Sequence, residues 1–79
     1  MDFRIDVLDI SVEPARVRFE TQTRTKMLGS AEALAKALYK RRYADGYPKD
    51  LVRVHHEGNV VFVYGLLDYK SHLENSSAA

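Results

Sequence analysis

The sequence has no cysteine, which excludes disulfide staples, thiolate metal ligands, thiol nucleophiles and redox switching, and gives no support to passage through an oxidising compartment. No stretch approaches the roughly 18 apolar residues of a membrane span, and the opening Met1-Asp2-Phe3-Arg4-Ile5-Asp6 alternates charge with apolar residues instead of following a signal-peptide layout. These absences predict a soluble cytoplasmic protein. Only 2 prolines and 4 glycines interrupt the chain, and with 46% hydrophobic and 29% charged residues it has the composition of an ordinary globular domain. At 79 residues there is room for one domain with a small core.

Motifs of chemistry are missing as well. There is neither a G-x-x-x-x-G-K-[ST] loop nor G-x-G-x-x-G to cradle phosphate. His55 and His56 are adjacent in a predicted strand and point to opposite faces, His72 lies near the C-terminus, and no H-x-x-x-H or H-x-H spacing exists for a metal. Ser11, Ser30, Ser71, Ser76 and Ser77 lack the context of an activated nucleophile. Asp6 and Asp9 read as solvating charges, because nothing signals a pocket deep enough to set their ionisation. No catalytic residue, cofactor or metal is assigned, and the chain reads as a non-enzyme.

What is present is a pattern of strands around one helix. Phe3, Ile5 and Val7 alternate with charged residues and resume out of phase as Leu8, Ile10 and Val12, which predicts a strand with a β-bulge or bend at Val7-Leu8. After a turn at Glu13-Pro14-Ala15, residues 16–24 form a second strand, with Val17, Phe19, Thr21 and Thr23 on one face and a polar, mainly basic face opposite. Gly29-Ser30 opens a helix to about Tyr43, with Ser30 as N-cap and Ala31, Leu34, Ala35 and Leu38 on one stripe. Glu32, Lys36 and Lys40 form an i,i+4 ladder on its outer face. Asp45-Gly46-Tyr47-Pro48 ends it. Leu51 to His56, a tight turn at Glu57-Gly58-Asn59, and Val60 to about Tyr69 complete a hairpin.

The order β-β-α-β-β predicts an α+β two-layer fold: an antiparallel sheet of about four strands with one helix packed across one face. Residues 1–70 make the domain and 71–79 a flexible tail. Strand four is apolar on both faces through Val60-Val61-Phe62-Val63-Tyr64. One helix covers one face, so the other needs the bent N-terminal strand, a second copy or a partner. A homodimer through an exposed sheet face or edge, by strand four or the N-terminal strand, is one outcome.

Charge is segregated along the chain: residues 1–15 carry −3, residues 16–53 carry +6 and residues 54–79 carry −2. A basic surface follows if those bases gather on one face. The candidate partner-binding residues are Arg24 and Lys26 ahead of the helix and Lys36, Tyr39, Lys40 and Tyr43 on it, since tyrosine among bases suits contact with acidic side chains or phosphates.

In size and layout, carried by Arg16-Val17-Arg18-Phe19-Glu20, the helix Ser30-Ala31-Glu32-Ala33-Leu34-Ala35-Lys36 and the hairpin at Gly58-Asn59, the chain resembles the small anti-CRISPR proteins of phages. The resemblance implies a non-enzymatic inhibitor in the host-cell cytoplasm, one that blocks a CRISPR-Cas surveillance complex by occupying a protein or nucleic-acid site. It transfers no functional residue. Many such inhibitors imitate DNA with an acidic surface, whereas this chain has a basic middle, which points to docking on an acidic patch or near bound nucleic acid. The alternative is a small nucleic-acid-binding domain that uses the same bases directly.

Overall fold

In the computed structural model, which describes residues 1–77, the elements run β1 (Asp2–Asp9), β2 (Arg16–Arg24), α1 (Leu28–Ala44), β3 (Asp50–His56), β4 (Asn59–Tyr64) and α2 (Leu66–Ser77). The four strands form one antiparallel sheet in the order β2-β1-β3-β4, and α1 packs across one face of it. This is the expected two-layer α+β architecture. No helix among the described residues is long and apolar enough to cross a membrane.

Phe3, Ile5 and Val7 of β1 join Val52 and Val54 of β3 beneath Ala31 and Ala35 of α1 to make the main core. The two alanines let the helix axis lie close to the sheet, and Leu28, Leu38 and Tyr39 close the seam. The buried stripe therefore runs 28, 31, 35, 38 and 39 at helical spacing. Leu34, expected on that stripe, is 49% exposed, because the arc that α1 turns to the sheet is centred between Ala31 and Ala35 and extends to Tyr39, which leaves Leu34 beyond its other edge. Ser30 is not the cap: Met27 holds that position without a side-chain bond. The turn before the helix is closed instead by the Thr25 hydroxyl, which accepts from the Met27 N–H at 3.1 Å and donates to its carbonyl at 2.9 Å.

The phase slip at Val7-Leu8 is real, but the extra residue sits in the neighbouring strand. Val7 pairs with Phe19 and Leu8 with Val17, leaving Arg18 as the bulged residue of β2. Val17 and Phe19 are thereby split between the two faces, where strict alternation would place them together. β1 stops at Asp9, so Ile10 and Val12 lie beyond the strand. A second register shift leaves Val61 unpaired between Phe62, opposite Val54, and Val60, opposite His55. The β3–β4 turn has positive φ at both Glu57 (52°) and Gly58 (83°). A two-residue hairpin with right-handed twist requires that backbone.

β4 ends at Tyr64 and not near Tyr69; α2 follows Gly65 and occupies most of the segment expected as a tail. On the face away from α1, Leu8, Leu51 and Val63 form a smaller cluster against which Ile10, Ala15, Val60 and Tyr69 pack. The second apolar face of β4 is thus covered by the chain after β1 and by α2. From Tyr69 to Glu74 the backbone is left-handed, with φ between 48° and 55°.

Candidate functional site

The α1–β4 junction gathers four aromatic rings and a lysine. Tyr39 meets Tyr64 edge-on at 5.1 Å and 86°, Tyr64 stacks along β4 on Phe62 at 6.2 Å, and Tyr43 lies one helical turn beyond Tyr39 at 6.3 Å. Lys36 turns over this platform, its Nζ 5.8 Å from the Phe62 ring centre and 5.5 Å from that of Tyr64. The expected Glu32–Lys36 ion pair does not form; within about 6 Å of a ring face the ammonium is held by the ring quadrupole instead. Gly65 positions the platform from below. Its φ of +115° is left to glycine. A Cβ there would fall 2.7 Å from Tyr39 Cε1 and 2.9 Å from Leu51 Cβ. Tyr43 ends the row 58% exposed, and Tyr39 also lines a groove with Ile10, Pro48, Lys49, Asp50, Leu51 and Lys70.

The rest of the positive charge has a different fate. Each of the seven arginines lies 2.7 to 3.6 Å from a carboxylate: Arg4 with Glu20, Arg16 and Arg18 with Asp9, Arg18 and Arg42 with Asp50, Arg24 with Asp2, Arg41 with Asp45 and Arg53 with Asp6. Among the described residues no lysine has such a partner. The acidic N-terminal segment and the basic segment after it are neighbouring antiparallel strands, so their charges meet across the ladder. Segregation in sequence becomes neutralisation in space, and the basic surface contracts to lysines.

Two of these ionic groups are buried centres that the sequence concealed. Asp9, read from the sequence as a solvating charge, and Asp50 sit opposite each other at the ends of β1 and β3 and are almost wholly enclosed. Arg18 Nε donates to Asp50 Oδ1 at 2.8 Å and Arg42 Nη2 to Oδ2 at 2.7 Å, with Tyr47 between the guanidiniums at 5.1 Å from Arg18 and 4.0 Å from Arg42. The Ser11 hydroxyl and N–H both donate to Asp9 Oδ1, at 2.6 and 2.9 Å, and with Arg18 and Arg16 beside it they lower the Asp9 carboxyl to about 2. The hydrogen bond from Arg24 lowers Asp2, and that to Asp50 raises Arg18.

On the opposite face Asp6, also expected in solvent, accepts two bonds from Arg53 at 3.0 and 2.9 Å and faces His55 Nε2 at 2.9 Å. His55 is buried with it, and His56 packs on Phe3 at 4.9 Å. The Arg4 Nε beside them is the one buried side-chain nitrogen without a hydrogen bond among the described residues. No three His, Asp or Glu side chains among the described residues converge on a point that could hold a metal ion. These carboxylates are held by guanidiniums, with Ser11 also on Asp9 and His55 also on Asp6, and they fasten neighbouring elements together.

Of the residues singled out from sequence, Lys36, Tyr39, Lys40 and Tyr43 share α1, with Lys36, Tyr39 and Tyr43 in one run of ring contacts. Arg24 does not join them. It stands on β2, the far edge of the sheet from β4, bound to Asp2 at 2.7 Å, and Lys26 lies exposed in the bend before α1. Sequence reasoning misses Phe62 and Tyr64 as site residues because the apolar run of β4 marks them as packing. Their alternation along β4 with α1 above one face is the available signal. No protein-family model, curated protein or solved structure matches the chain.

Proposed function

We propose that the protein is a non-enzymatic binding protein that acts by occupying a macromolecular partner, and that it docks through the Lys36–Tyr39–Tyr43 surface over β4. The observation that carries this reading is Lys36 itself. It is an ammonium with no carboxylate partner among the described residues, held over Phe62 and Tyr64 beside a half-exposed tyrosine. Tyrosine contributes large contact area at small entropic cost, and a lysine with no carboxylate partner among the described residues answers an acidic side chain. The partner is taken to be a protein with an acidic patch. Direct nucleic-acid binding has less support, since the arginines best suited to phosphate are already bound to carboxylates. In its specific form the partner is a CRISPR-Cas surveillance complex, a reading supported by size and layout.

The test is a pull-down with tagged wild type beside Lys36→Glu/Lys40→Glu, with and without nuclease. A stoichiometric protein that survives nuclease and is lost in the variant is expected; nuclease-sensitive nucleic acid alone contradicts docking. Plasmid interference in cells with defined CRISPR systems tests the specific form: relief by wild type and not by the variant is expected, and unaltered interference in every system contradicts it.

A further inference from the structure

β2 forms one edge of the sheet, and the pattern of its free backbone groups follows from one hydrogen bond. The Thr25 N–H donates to the Met1 carbonyl at 3.0 Å, and the β1–β2 register runs unshifted from Asp2↔Arg24 to Val7↔Phe19. In an antiparallel ladder, residues alternate between exchanging both backbone bonds with the partner strand and turning those groups away. Thr23, Thr21 and Phe19 therefore bond to β1, while Arg24, Gln22 and Glu20 turn their N–H and C=O groups to the free edge. No strand lies beyond them in the sheet.

We propose that this edge pairs antiparallel with β2 of a second copy of the chain, about a two-fold axis at Gln22. In that register Gln22 faces Gln22 of the partner subunit and Glu20 faces Arg24 of the partner subunit, so the outward backbone groups of all three residues meet their complements. The side chains agree. Arg24 is bound to Asp2 and Glu20 lies 3.6 Å from Arg4 on the face away from α1. Pairing links these contacts: Arg24, held by Asp2, comes opposite Glu20 of the partner subunit, the residue that in each chain has Arg4 as its diagonal neighbour and Asp6 directly across the ladder. Opposite charges directly across a ladder stabilise it, and like charges oppose it. Two neighbouring registers fare worse. An axis at Glu20 sets two carboxylates face to face, and an axis at Phe19 runs through the bulge at Arg18, whose guanidinium is committed to Asp50 and Asp9. The edge is complementary to itself, which identifies a second copy as its occupant. The two-fold axis stands normal to the sheet, so both α1 helices lie on one face of a sheet of doubled width.

Sedimentation velocity on the full chain across a concentration series tests this. Wild type is expected to pass from monomer to dimer. Gln22→Pro removes an outward N–H that β1 does not use, as an edge strand tolerates, and is expected to weaken the dimer by about tenfold or more. Glu20→Arg alone is expected to weaken it, and Glu20→Arg/Arg24→Glu to recover part of it, since the swap restores opposite charges between subunits while it breaks each chain's own contacts with Arg4 and Asp2, a rescue that general damage to the strand would not give. Because the chain has no cysteine, Gln22→Cys adds a geometric test: about 5.5 Å between Cα atoms lies within disulfide range, so oxidation should yield a covalent dimer where Thr21→Cys does not. A wild type monomeric at every concentration overturns the proposal, whatever else the edge binds. A dimer unaffected by Glu20→Arg, or cross-linked as readily through Thr21→Cys, overturns it too.

Discussion

β1 and β2 pair along their whole length, yet from Phe3 to Asp9 every residue of β1 except Arg4 is buried, while in β2 only Thr23 is even half-buried. The contrast comes from what lies above. α1 sits mainly over β3 and touches β1 and β4, reaching β2 with side chains such as Arg42, which crosses Phe19 at 5.4 Å. Pairing alone does not make a strand part of the core; coverage does. β1 carries stability, and β2 is left with a bare edge and exposed faces.

The largest expected effect tests that difference with one substitution made twice. Phe3→Ala should cost about 3–5 kcal/mol, since a buried ring is lost and a cavity remains. Phe19 is 41% exposed. Phe19→Ala should therefore cost about 1 kcal/mol or less. Urea unfolding of both variants checks this, and equal losses would show that β2 is covered. Next, Asp50 ties the bulge of β2 to α1 through Arg18 and Arg42. Asp50→Ala should fall toward the lower end of the roughly 3–5 kcal/mol cost of breaking a buried pair, because both guanidiniums can still reach water.

A smaller effect is expected at the junction. Gly65→Ala should destabilise by roughly 1–3 kcal/mol through overpacking against Tyr39, with tyrosine fluorescence or ring chemical shifts reporting displacement of the platform. The smallest effect concerns acid. Asp9 is lowered from its usual 3.8 to about 2 in the fold. Its contribution is therefore fully present above about pH 5 and is lost as pH falls through 4 towards 2. Ser11→Ala removes the leading cause of that lowering. Part of that stability should then be missing at pH 7, where Asp9 is ionised in both the folded and the unfolded chain, and the acid limb between about pH 5 and 2 should be shallower.

Much of this was legible in the residues. β2, the hairpin turn and the helix over the sheet follow from alternation, from Glu57-Gly58-Asn59 and from the spacing of Ala31, Ala35 and Leu38. The apolar doublet Val7-Leu8 announces an irregularity but not its host, because a shift in a ladder can be taken up by either strand. Asp6 and Asp9 look like solvent-facing positions since the partner that buries Asp6 is Arg53, 47 residues away, and Asp9 is enclosed only when Arg18 is turned inward by the bulge. Charge segregation suggests a basic patch only while the pairing of β1 with β2 is ignored. Within the candidate site, Tyr39 and Tyr43 follow from helical spacing, whereas Arg24 belongs elsewhere because it stands at the opposite edge of the sheet from the strand beneath Lys36. The apolar residues Leu66, Tyr69 and Leu73 of α2 fall at helical spacing, but the first of them continue the apolar run of β4 and so read as strand.

Amide hydrogen exchange resolved residue by residue along β2 tests the central claim most directly, because protection there depends on which edge each N–H faces. At low concentration Phe19, Thr21 and Thr23 should exchange slowly and Glu20, Gln22 and Arg24 rapidly, with Gln22 gaining protection as the chain is concentrated. Loss of that alternation would contradict a β2 paired on one side only, and an edge whose amides stay fast at every concentration would contradict its pairing with a second copy.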